Sequence, residues 1–189
     1  MATTQTRTKR FVLVAGNIGV GKTSLAERLG ERLGWDTAYE SVVDNPYLAD
    51  FYADMRAWAF HLQVFFLGHR AEQHLALARQ ARSAIIDRSI YEDAEIFTRA
   101  SFRLGNMSER DHSAYRRVYD LVVSNLPAPD LLIYLRAPVP VILKRIRARG
   151  REMERGITAE YLDLLDSFYR DWLAGFDLWK DEHQDSNRR

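Results

Sequence analysis

The 189-residue chain contains no cysteine. That absence excludes a disulfide framework, a thiol nucleophile and any cysteine-ligated metal site. No apolar run approaches the ~20 residues that a membrane-spanning helix needs. No repeat, low-complexity block or linker divides the chain, and its length suits one domain. Net charge is nearly absent: 27 basic side chains against 26 acidic ones leave +1. That balance argues against a binder of polyanions, so neither a nucleic-acid nor a membrane partner is expected. Lysine is confined to Lys9, Lys22, Lys144 and Lys180, and arginine carries the rest of the basic charge. Genomic base composition is the plain cause of that bias. The first ten residues, MATTQTRTKR, hold no acid and no apolar core. They read as a disordered tail over 1–10, not as a secretory signal. An acid-free basic start also fits a fragment of an organelle transit peptide; the cytoplasm is the expected compartment. The last eleven residues, WKDEHQDSNRR, offer Trp179 as their one apolar side chain, so 179–189 reads as a polar tail.

Between the tails, 11–178 reads as one domain organised around FVLVAGNIGVGKTSL, Phe11 to Leu25. Phe11 to Val14 is a short apolar run of the kind a buried parallel strand shows. Gly16, Asn17, Gly19, Gly21, Lys22 and Thr23 then fit G-x-x-x-x-G-K-[ST], and Ser24 to Leu33 reads as a helix with Leu25, Leu29 and Leu33 on one stripe. Phosphate chemistry explains each residue type. Glycines let backbone N–H groups turn inward around an anion, and the following helix N-terminus adds positive dipole. Lys22 reaches the β- and γ-phosphates, and the Thr23 hydroxyl suits Mg²⁺. The flanking strand and helix set this stretch apart from a chance glycine-rich turn. It predicts binding of a nucleoside triphosphate with Mg²⁺.

Further strands are expected at Asp36–Glu40, Ala84–Asp87 and Asp130–Leu135, separated by helical stretches. That alternation predicts an α/β fold with a parallel sheet covered by helices. Met55 to about Arg82 is free of Pro and Gly except Gly68, which predicts one long helix. Ser108-Glu-Arg-Asp111 opens a helix to about Leu126, Pro138 and Pro140 start one to Arg149, and Thr158 starts one to about Phe176.

Three constellations carry candidate chemistry. The second strand ends at Glu40, and carboxyl ends of strands face the ligand crevice of open α/β sheets. A carboxylate there suits proton removal from an attacking hydroxyl, although taken alone it reads more readily as a solvated strand-end acid. The third strand ends in Asp87-Arg88-Ser89. Asp87 suits a second Mg²⁺ anchor and Arg88 the transferring phosphoryl, against the alternative that Asp87 caps the helix after Tyr91. Arg145, Arg147, Arg149 and Arg151, with Gly150 and Gly156 beside them, suit a hinged basic lid over about 145–156. An exposed basic helix end is the alternative. Gln63, Phe66 and Arg70 share a face of the long helix. There Gln offers a nucleobase edge both donor and acceptor, and Phe66 offers a stacking plane.

Together these residues resemble the deoxyribonucleoside kinase family, closest to its bacterial deoxyadenosine/deoxyguanosine kinases. The stretches that carry the resemblance are GNIGVGKTS, YESVVDNPYLADFY, WAFHLQVFFLGHR, DRSIYEDAEIF and RGREMERGITAEYL. The resemblance implies a P-loop kinase fold and transfer of phosphate from ATP to the 5′-hydroxyl of a deoxynucleoside. It implies Glu40 as general base, Arg88 beside the 5′-oxygen, and Asp87 with Thr23 near Mg²⁺. It implies Lys22, Ser24, Arg145, Arg149 and Arg151 at the phosphates. Gln63 would read the base, Trp58 and Phe97 would wall its pocket, and Tyr52 with Glu154 would hold the 3′-hydroxyl. Arg70 and Asp93 match a charged pair of purine- and deoxycytidine-accepting members. A buried Arg–Asp pair also fills the space a 5-methyl needs, which favours deoxyadenosine or deoxyguanosine over thymidine. A homodimer through helices at about 108–126 and 158–176 is implied as well. The family's fifth strand and adenine loop are expected to be missing here, replaced by the polar tail. Two alternatives stand beside this reading: a nucleoside monophosphate kinase, and a catalytically silent structural relative. Retention of Lys22, Thr23, Glu40, Asp87 and Arg88 argues against the second.

Overall fold

The computed structural model describes residues 9–39 and 45–175. Its four strands are β1 (Phe11–Gly16), β2 (Asp36–Ala38), β3 (Ala84–Asp87) and β4 (Leu131–Leu135). All pair in parallel in the order β2-β3-β1-β4. β1 and β3 are buried along their whole length, as the apolar runs Phe11–Ala15 and Ala84–Ile86 require of strands covered on both faces. The expected alternation of strands and helices therefore holds, with shorter ends. β2 stops at Ala38 where a strand to Glu40 was expected, and Glu40 lies outside the described residues. β4 starts at Leu131, one residue later than expected.

The helices are α1 (Lys22–Leu33), α2 (Leu48–Ala53), α3 (Met55–Arg79), α4 (Ile90–Glu92), α5 (Arg99–Arg103), α6 (Glu109–Val123), α7 (Val139–Arg149) and α8 (Ala159–Ala174). Local chemistry sets their ends. Asp54 caps α3 by accepting from Arg56 N at 3.1 Å and Ala57 N at 3.0 Å. Ser108 and Thr158 cap α6 and α8 in the same way, as their sequences predict. The long helix ends at Arg79, three residues before its expected limit. α7 ends on Gly150 at φ +68°, a left-handed C-cap. Gly150 thus terminates the helix sharply within the expected lid, whose first residues, Arg145 to Arg149, are the last turns of α7.

Between α4 and α5 the backbone widens into a π-helical turn over Asp93–Thr98. Such turns accommodate one extra residue and gather at functional sites. This one re-aims the segment after β3, turning Glu92, Asp93 and Phe97 into the interior, where each is buried. Lys9 and Arg10, assigned to the tail by sequence, instead belong to the fold. Lys9 Nζ donates to Ala78 O, and Arg10 N donates to Ser83 Oγ at 2.9 Å. Residues 1–8 and 176–189, including the polar tail, lie outside the described residues. Among the described residues no helix is long and apolar enough to cross a membrane.

Candidate active site

Parallel pairing of β1 with β3 sets Val14 level with Asp87, so both strands deliver their following loops to one edge of the sheet. The loop after β1 opens at Gly16, φ +147°. A Cβ there would lie 2.4 Å from the Leu135 carbonyl oxygen of β4, so only glycine lets the loop leave so close to the neighbouring strand. Gly19 and Gly21 also have positive φ. Gly21 is the N-cap of α1 and supplies no side-chain acceptor, which leaves the amides of the first helical turn to an anion. Lys22 Nζ donates to the Gly16 carbonyl at 2.7 Å and the Asn17 carbonyl at 3.2 Å, folded over the loop it serves. Asn17 is buried and anchors the loop to α8 through Leu162 O at 2.8 Å. Ser24 follows in the first turn of α1.

Thr23 Oγ1 donates to Asp87 Oδ2 at 2.5 Å. Asp87 is 4 % exposed, and its Oδ1 has no protein hydrogen-bond partner. A hydroxyl and a carboxylate side by side, with one buried oxygen unspent, fit Mg²⁺, which binds through one or two carboxylates plus phosphate oxygens and water. Among the described residues no group of three carboxylates or imidazoles could hold a metal by itself. The alternative role of Asp87 as a helix cap is not what the fold uses. Ser89 caps α4, and Glu92 returns the contact in a capping box.

Arg88 is the one non-glycine residue with positive φ among the described residues, at +69°. That conformation costs of order 1–3 kcal/mol and persists only where the surroundings impose it. Here its guanidinium lies 3.6 Å from the Phe97 ring centroid and its Nε lies 3.3 Å from Asp93 Oδ1. Asp93 Oδ2 accepts from Arg70 Nε at 3.1 Å, so one carboxylate is shared by two arginines. Gln63 is buried beside them. The Thr98 hydroxyl stands 3.0 Å from its Oε1 and 2.8 Å from the Asp93 carbonyl. Phe66 lies one helical turn from both Gln63 and Arg70, with the Arg70 guanidinium 6.0 Å from its ring centroid. Gln63, Phe66, Arg70, Arg88, Asp93 and Phe97 are thus one contiguous group. Trp58 packs against Tyr47 at 5.9 Å between ring centroids, and Tyr52 on α2 is exposed.

The basic segment is only partly open. Arg145 donates to the Val20 carbonyl of the phosphate loop at 2.9 Å. Arg149 makes a bidentate pair with Glu154, its Nη2 2.6 Å from Oε1 and its Nε 3.1 Å from Oε2. Arg151 is 3.7 Å from the same carboxylate and largely exposed. Glu154, expected at the sugar, is therefore joined to two arginines of the lid segment. Two buried residues went unnoticed in the sequence, Glu92 and Tyr169. Both bond to Gly16. The Ser89-x-x-Glu92 pattern was the available signal for the first; nothing local marks the second.

Comparison with known proteins shows the family. The family model described as deoxynucleoside kinase matches residues 12–185. A deoxyadenosine/deoxycytidine kinase of Bacillus subtilis is 40 % identical over 168 residues, spanning 88 % of this chain and 77 % of the relative. A deoxyguanosine kinase of the same organism is 36 % identical over 86 % of this chain and 77 % of its own length. Among solved structures, a deoxyadenosine kinase from M. mycoides with dCMP and dCDP bound superposes with a TM-score of 0.78 at 30 % identity. The match covers 88 % of this chain and 85 % of that one. The same kinase with dATP bound superposes at 0.77, covering 87 % and 84 %. Loop, strand ends, wide turn and relatives agree: the chain belongs to the deoxynucleoside kinase family, and its P-loop α/β fold is that of a phosphotransferase acting on deoxynucleosides.

Proposed function

We propose that the chain moves the γ-phosphoryl group of ATP to the 5′-hydroxyl of deoxyadenosine or deoxyguanosine, with deoxycytidine as a further acceptor. The observation that carries this reading is the meeting of two half-sites at the carboxyl ends of β1 and β3. On one side lie the uncapped start of α1, Lys22 and the Thr23–Asp87 pair. On the other lie Arg88, Asp93, Arg70 and Gln63. The first suits a triphosphate and the second a nucleoside, and Arg88 stands at their junction.

In this mechanism the loop amides and Lys22 hold the phosphates, joined by Arg145, Arg149 and Arg151. Thr23 and Asp87 would hold Mg²⁺, whose charge when bound offsets that of the phosphates. Arg88 stabilises charge on the transferring group, and Glu40 accepts the proton of the attacking hydroxyl. Gln63 reads the base edge between Phe97, Phe66 and Trp58. Tyr52 and Glu154 hold the 3′-hydroxyl, and the Arg149–Glu154 pair couples sugar binding to the lid. The named substrates of the B. subtilis relatives support purine and deoxycytidine acceptors. A homodimer suits Val118 and Leu121, which stand exposed on α6. The cytoplasm, where nucleoside and ATP meet, is the proposed compartment.

The test is ADP formation from ATP and Mg²⁺ with each of four deoxynucleosides and with dAMP and dTMP. Turnover with deoxyadenosine or deoxyguanosine and none with monophosphates is the expected result. Turnover only with a monophosphate, or none with any acceptor in a folded, ATP-binding protein, would overturn it. Glu40→Gln is expected to lower kcat by at least roughly 10²-fold with the thermal melt unchanged. A variant that keeps most of its turnover removes Glu40 from the chemistry.

A further inference from the structure

Behind the phosphate loop lies a buried hydrogen-bond group that the transfer reaction itself does not call on. Glu92 has no solvent exposure. Its Oε1 accepts from Gly16 N at 3.1 Å, and its Oε2 lies 3.0 Å from Ser89 N and 3.3 Å from Ser89 Oγ. Tyr169 Oη, reaching across from α8, lies 2.8 Å from Glu92 Oε1 and 2.8 Å from the Gly16 carbonyl oxygen. A phenol has one hydrogen to donate, while a carbonyl and a carboxylate only accept. With Glu92 ionised, one of these two short contacts sets oxygen against oxygen with no hydrogen between. A proton on Glu92 Oε1 resolves the count. Glu92 then donates to Tyr169, Tyr169 donates to Gly16 O, and Gly16 N still finds a lone pair on Oε1. The N–H and the carbonyl of Gly16 are then both bonded within one closed ring, and the carbonyl keeps its bond from Lys22 Nζ as well.

We propose that Glu92 is held as a neutral carboxylic acid and forms, with Tyr169, a clamp on the Gly16 peptide that positions the phosphate loop for the donor nucleotide. Both are positioning residues, and the functional part of the proposal rests on the kinase reading. Neutrality has a direct use. A carboxylate here would sit beneath the loop that receives a triphosphate, and would draw the Lys22 ammonium toward itself. A neutral acid shapes the loop without repelling the anion. The groups that face Glu92 are Ser89 on its own turn, Lys22 from α1, Arg88 from the end of β3 and Tyr169 from α8. Burial pushes the Glu92 carboxyl up; Lys22, the Ser89 amide, Tyr169 and Arg88 pull the other way. Because the folded state holds this proton more tightly than the unfolded chain, the contribution is complete in acid. It is lost as pH rises above the ordinary carboxylate range and through the folded-state value. Donor affinity is therefore expected to fall on the alkaline side, with acceptor KM flat.

Infrared spectroscopy of the intact protein labelled with ¹³Cδ-glutamate reads the protonation state without any variant. A protonated-acid carbonyl band at neutral pH, absent from Glu92→Gln, is expected; carboxylate bands alone would overturn the neutral ring. Tyr169→Phe keeps the ring that packs on Tyr134 and Trp172 and removes only the hydroxyl. It is expected to weaken binding of a non-hydrolysable ATP analogue about tenfold by calorimetry, and to raise KM for ATP while KM for deoxyadenosine is unchanged. Unaltered nucleotide binding, or equal loss for both substrates, would overturn the positioning role. Calorimetry and infrared readouts need no turnover, so their failure is distinguishable from failure of the kinase reading.

Discussion

Lys22→Ala is expected to lower kcat/KM for ATP by about 10³-fold, of order 4 kcal/mol of transition-state stabilisation, with the melting temperature of the nucleotide-free protein nearly unchanged. The ammonium bonds to two carbonyls of its own loop, Gly16 and Asn17. Its removal leaves the sheet and α1 intact, since Gly16 keeps Tyr169 and Asn17 keeps Leu162. What is lost, in the proposed mechanism, is a positive charge where β- and γ-phosphate oxygens meet the helix N-terminus. Steady-state kinetics with varied ATP, paired with the ATP-induced shift in melting temperature, checks this. Because a ligand stabilises by the logarithm of its concentration over Kd, the shift is expected to shrink as ATP affinity falls. A variant retaining a tenth of wild-type kcat/KM would show that the loop amides suffice and that Lys22 has another task.

The second large effect is on stability. Asp93→Ala is expected to destabilise the fold by about 3–5 kcal/mol, because it removes the buried carboxylate that two guanidinium groups share. Arg70 and Asp93 side chains are 1 % and 4 % exposed, and Arg88 is 16 % exposed. Water can compensate Arg88 in part and Arg70 hardly at all. For a chain of this size the melting temperature would fall by about 10 °C. The double variant Arg70→Met/Asp93→Ala removes the most deeply buried charge with its partner, so it is expected to be more stable than Asp93→Ala alone. Denaturant titrations of the single and double variants measure that coupling; strictly additive losses would mean the pair does not interact. The same double variant tests base choice. Emptying the space beside Gln63 is expected to bring measurable thymidine phosphorylation. If none appears, the pair does not set the preference for bases without a 5-methyl.

Much of the fold was legible because its signals are local. The apolar run Phe11–Val14 is too short for a helix and lies before a glycine-rich turn, so sterics alone predict strand, loop and helix. Ser108 and Thr158 announce their helices through caps that need only three neighbouring residues. Asp87 and Arg88 stood out because an acid and a base close an apolar strand. The limits of elements were less legible. Nothing in Tyr39 prevents β2 from continuing, yet its pairing ends at Ala38 opposite Ile86. Arg82 leaves the expected helix because it is pulled to Gly34 O and Asp36, contacts made across 48 and 46 positions of sequence.

By itself, the sequence determined that the chain folds as an α/β domain, that a glycine-rich loop from Gly16 runs into a helix at Lys22, and that Asp87 and Arg88 stand at the end of an apolar strand. Each follows from backbone conformation or residue order within a few positions. Only the tertiary structure decided which partners those residues share. It set one carboxylate, Asp93, between Arg70 and Arg88, and it gave the capping role to Ser89 instead of Asp87. It also closed Glu92 and Tyr169, 77 positions apart, around the Gly16 peptide. Such contacts depend on the order β2-β3-β1-β4 and on the wide turn after β3. A long-range hydrogen bond carries no local backbone preference, so it leaves no periodicity in the chain to be read.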